Sequence, residues 1–66
     1  MKRRPLAYLE DIRLACSRIR DTVSGVSLPR YESDHAIRDI VERNLIKIGD
    51  ALNLLQKVDP QLMRRI

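Results

Sequence analysis

Any chemistry in this chain has to come from few groups. There is one histidine, His35, and one cysteine, Cys16. Arg30 lies five positions before His35, an Arg-x4-His spacing that could join a fixed charge to a proton-transferring ring. Ten arginines in the 66 residues give any single histidine about a one-in-seven chance of that spacing. A catalytic pair also needs held geometry, and Arg30 falls in a connector while His35 opens a helix. The two are therefore not expected to act as a catalytic pair. No nucleophile–base pair or carboxylate-rich cluster is evident, and Gly25 and Gly49 are too few to cradle a phosphate. A structural zinc site takes four cysteine or histidine ligands, which Cys16 and His35 cannot supply. Neither a metal nor a cofactor is expected.

Asp39, Arg43, Lys47 and Asp50 recur at steps of four, four and three along one flank of a helix. Side chains so spaced can pair as a solvated, salt-bridged face. The alternative is a polar rim beside a site that other helices complete, with Arg43 and Asp50 as its supporting candidates. Asn44 is more pointed. A helical projection sets it inside an apolar arc, between Val41 and Ile48, where its amide needs partners. A buried asparagine so placed can fix helix register at an interface. Ile46 and Leu54 lie off the main stripe of the same helix and join Asn44 as expected interface residues.

Two amphipathic helices must position these groups. Leu9, Ile12, Cys16, Ile19 and Val23 recur at alternating steps of three and four, which predicts a helix over 5–24. Pro5 suits its first turn, and Gly25 its end. Residues 25–33 read as a connector, because Pro29 and the serines break the period, with Leu28 and Tyr31 pinned onto the helices. A second helix over 34–58 starts from Ser33 or Asp34 as N-cap. Its stripe is Ile37, Val41, Leu45, Ile48, Leu52 and Leu55. Asp59-Pro60 ends it and suits the start of a third helix over 60–66. The fold class is all-α, an antiparallel helical hairpin. Each stripe is covered on one side only, which asks for further helices or a second subunit.

A chain of this length buries only about 60% of the surface its unfolded form exposes, so a supporting partner is expected. A lone cysteine excludes an internal disulfide and suits a reducing, cytoplasmic compartment. No apolar run approaches a membrane span. The net charge of +4 permits RNA contact without demanding it, since acids and bases intermix. The nearest patches are Lys2-Arg3-Arg4 and Arg64-Arg65, and Tyr8 and Tyr31 are too few to stack bases.

Certain words along the chain carry a resemblance. Tyr8-Leu9-Glu10-Asp11-Ile12 followed by Ile19-Arg20 resembles the opening helix of the HepT-like ribonuclease toxins of the HEPN superfamily. Tyr31-Glu32-Ser33-Asp34, then Val41-Glu42-Arg43-Asn44-Leu45, then Ile48-Gly49-Asp50-Ala51-Leu52, resembles their second helix, with Asp50 where the family usually has glutamate. Asp59-Pro60 and Arg64-Arg65-Ile66 look like the approach to the next helix. The resemblance implies the amino-terminal part of a bundle of four or five helices that pairs as a homodimer. It implies a metal-independent endoribonuclease acting on RNA, the toxin of a type VII toxin–antitoxin system, silenced by a minimal nucleotidyltransferase antitoxin. The family motif, Arg-x4-His-x-Tyr, follows the third-helix approach. No residue of this chain inherits its roles, so a carboxy-terminally truncated, inactive form is expected.

Two other function classes compete. One is a helical dimerisation or interaction module without enzymatic activity. The other is a small basic nucleic-acid-binding protein, which the long connector and the lack of a basic recognition stripe disfavour.

Overall fold

The computed structural model describes residues 4–65, so Lys2 and Arg3 of the basic start and Ile66 of the expected third helix lie outside the described residues. Four helices follow in order: α1 Pro5–Val23, α2 Leu28–Ser33, α3 His35–Val58 and α4 Pro60–Arg65. Among the described residues there is no strand, and the fold is all-α. No helix there is long and apolar enough to cross a membrane.

The helix ends follow from local chemistry. Pro5 occupies the first turn of α1, where its missing N–H has no intrahelical partner to lose. The helix closes through Gly25 at φ +73°, a left-handed conformation that a side chain resists. The segment 25–33 is not a plain connector. Ser27 caps α2 by accepting from the Arg30 N–H, and Pro29 sits in the first turn. Residues that break one helix are here the residues that start the next. Leu28 is 68% exposed, so it is not pinned onto its neighbours, whereas Tyr31 is half-buried.

Asp34 caps α3, its Oδ1 accepting from Ala36 N–H at 3.1 Å and Ile37 N–H at 3.2 Å. Asp59 closes that helix and opens the next. Its N–H donates to Leu55 O at 2.7 Å, and its Oδ1 accepts from Leu62 N–H at 3.0 Å.

The long helices fold back on each other. At 1.5 Å per residue α1 and α3 run roughly 28 and 36 Å, and the whole molecule extends 40 × 21 × 15 Å. Its radius of gyration, 14.2 Å, exceeds the roughly 11 Å of a compact domain of this length. The core is a single seam: Tyr8 and Ala15 of α1 against Val41, Asn44, Ala51 and Leu55 of α3. Ile12, Ile19, Ile37 and Ile48 flank it half-buried.

This seam is rotated from the stripes that the large apolar residues outline. Cys16 is exposed, and Leu45 is 56% exposed. The closest approach runs through Ala15 and Ala51 instead, because small side chains let helix axes come near. Helical periodicity sets Leu9 and Cys16 of α1 and Leu45 and Leu52 of α3 on one flank of the seam, Cys16 and Leu45 exposed and Leu9 and Leu52 half-buried.

Candidate functional site

The opposite flank holds a groove of about 360 Å³ between α1 and α3. Tyr8, Ala15 and Ala51 form its floor, and Leu14 and Leu54 its apolar walls, 39% and 44% exposed. Four charged side chains line the rest: Asp11 and Arg18 from α1, Lys47 and Asp50 from α3. Helical periodicity sets them there. Asp11, Leu14 and Arg18 follow steps of three and four on one face, as do Lys47, Asp50 and Leu54. Because the helices are antiparallel, Asp11 and Asp50 lie toward one end and Arg18 and Lys47 toward the other.

Of the residues expected to matter, Asp50 and Leu54 line this groove. Arg43 is exposed on α3 and does not line it. Ile46 is 64% exposed, on the side of α3 turned away from α1. The row Asp39, Arg43, Lys47 and Asp50 is not a ladder of ion pairs. Among the described residues the pairs are Arg13–Glu10 at 2.6 Å and Arg20–Asp21 at 3.6 Å, both on the solvent side of α1. Hydrogen bonding from Arg13 holds the Glu10 carboxyl below its ordinary range, and the same bond raises the Arg13 guanidinium.

Asn44 lies where the helical projection sets it, 5% exposed within the seam. Its Nδ2 donates to Ile40 O at 2.8 Å, one turn back on the same helix. Its Oδ1 is buried with no hydrogen-bond partner. An orphaned buried acceptor costs about 1–3 kcal/mol, so this position weakens the hairpin as it stands.

Arg30 and His35 are not hydrogen-bonded to each other. His35 Nδ1 instead accepts from Arg38 Nη2 at 2.6 Å, on the exposed start of α3. Two positions after His35 stands Ile37. Among the described residues no group of three or more histidine, cysteine or acidic side chains is placed to hold a metal ion. The groove has an apolar floor and a charged rim, a shape and chemistry suited to side chains or a helix. Asp11, Arg18 and the two alanines were passed over in the sequence. The signal available was the recurrence of Asp11, Leu14 and Arg18 beside the seam.

Compared with known proteins, the chain matches no family model, no curated protein and no solved structure.

Proposed function

We propose that this chain is a HepT-like protein, the helical frame of an RNA-cleaving toxin paired with a minimal nucleotidyltransferase antitoxin. One observation carries the reading. The words that resemble the family, Tyr8–Ile12, Val41–Leu45 and Ile48–Leu52, contribute Tyr8, Val41, Asn44 and Ala51, four of the six buried residues of the α1–α3 seam. Words that make the packing are tied to the fold, whereas exposed matches are free to arise by chance.

In this reading the 66 residues supply frame and pairing surface, and not the groups that cut RNA. They contain no Arg-x4-His-x-Tyr word: Ile37 stands where Arg30 and His35 would require tyrosine. Arg43 and Asp50 act at most as supporting residues; Asn44 serves the chain's own helix–helix seam, while Leu54 on the groove wall and Ile46 on the outer face of α3 are the exposed interface residues. The working form is a homodimer in the cytoplasm, with RNA as the substrate of the whole toxin and no metal in its cleavage.

The reading requires a gene for a minimal nucleotidyltransferase beside this one, and its product should co-purify with this chain after co-expression. No such neighbour, or two products that separate on an affinity column, contradicts it. Purified alone, the chain should leave RNA intact. Cutting that His35→Ala abolishes at unchanged helix content would make Arg30 and His35 catalytic after all.

The open groove favours a second reading, a helical interaction module without enzymatic activity. It shares the pairing surface and drops the RNA and the antitoxin.

A further inference from the structure

We draw no further inference here: the strongest candidate, the groove between α1 and α3 with its Ala15 and Ala51 floor and its Leu14 and Leu54 walls, is an unpartnered apolar face, and nothing in the structure shows what covers it.

Discussion

Replacing Asn44 by leucine should make the protein more stable, and the size of the gain follows from its surroundings. Asn44 is 5% exposed, its Oδ1 has no partner, and its Nδ2 adds a second donor to an Ile40 carbonyl already bonded within α3. Removing the orphaned acceptor recovers about 1–3 kcal/mol, and losing the Nδ2 bond gives back about 0.5–1.5 kcal/mol. Burying a leucine side chain contributes about 1.5–3 kcal/mol, from which overpacking subtracts about 1–3 kcal/mol. The net expectation is a gain of about 1–2 kcal/mol, or roughly 4–16 °C in Tm for a domain of this size. Urea unfolding followed at 222 nm, at one fixed concentration, reads it as a rise in midpoint. Asn44→Asp supplies the contrast, since an unpaired charge in the same place should destabilise by about 3 kcal/mol or more. If Asn44→Leu lowers stability by more than the roughly 2 kcal/mol that overpacking and the lost Nδ2 bond can account for, at unchanged helix content, the Oδ1 has a partner in solution and the reasoning fails. Specificity should move the other way: without its polar group the seam fixes register less firmly, visible as broader amide signals in NMR spectra.

Gly25→Ala should cost about 1 kcal/mol in urea unfolding, while Gly25→Asn should cost less. Nothing lies within 4 Å of a Cβ built at Gly25, so only the backbone at φ +73° resists, and a loss from crowding would be unexpected. Asp34→Ala removes the acceptor for two N–H groups at the start of α3 and should cost about 1 kcal/mol, with amide exchange quickening first at Ala36 and Ile37. In an NMR titration the Glu10 carboxyl should titrate below an ordinary glutamate, and added salt should bring it back. Its folded value is depressed, so its contribution to stability is present above the unfolded value and is lost as pH falls through the folded one. Glu10→Gln should remove that part of the acid dependence, and an unchanged acid limb would mean the Arg13 bond is not formed in solution.

The helix ends were the most legible part of the sequence, because each is fixed by residues adjacent in the chain. Pro5, Gly25, Asp34 and Asp59-Pro60 each announce a boundary through their own backbone or side-chain chemistry. The exception is α2, where Pro29 and the serines were read as breakers although Ser27 and Pro29 also make a helix start. The direction of the seam was less legible. A stripe drawn through Leu9, Cys16 and Leu45 weights bulk, while the observed axis passes over Ala15 and Ala51, whose value lies in being small. Asn44 was legible because a polar side chain within an apolar arc is conspicuous at any rotation. The groove was half legible: Lys47, Asp50 and Leu54 stood out on one helix, but Asp11 and Arg18 gain meaning only once α1 is known to face them.

The claim most exposed in the proposed function is that these 66 residues pair with a second copy. Urea unfolding over about a hundredfold range of protein concentration tests it most directly, since dissociation and unfolding are then one equilibrium. A paired hairpin should unfold with a midpoint that climbs by about 1 M urea across that range. A single cooperative transition whose midpoint ignores concentration would show that the chain stands alone.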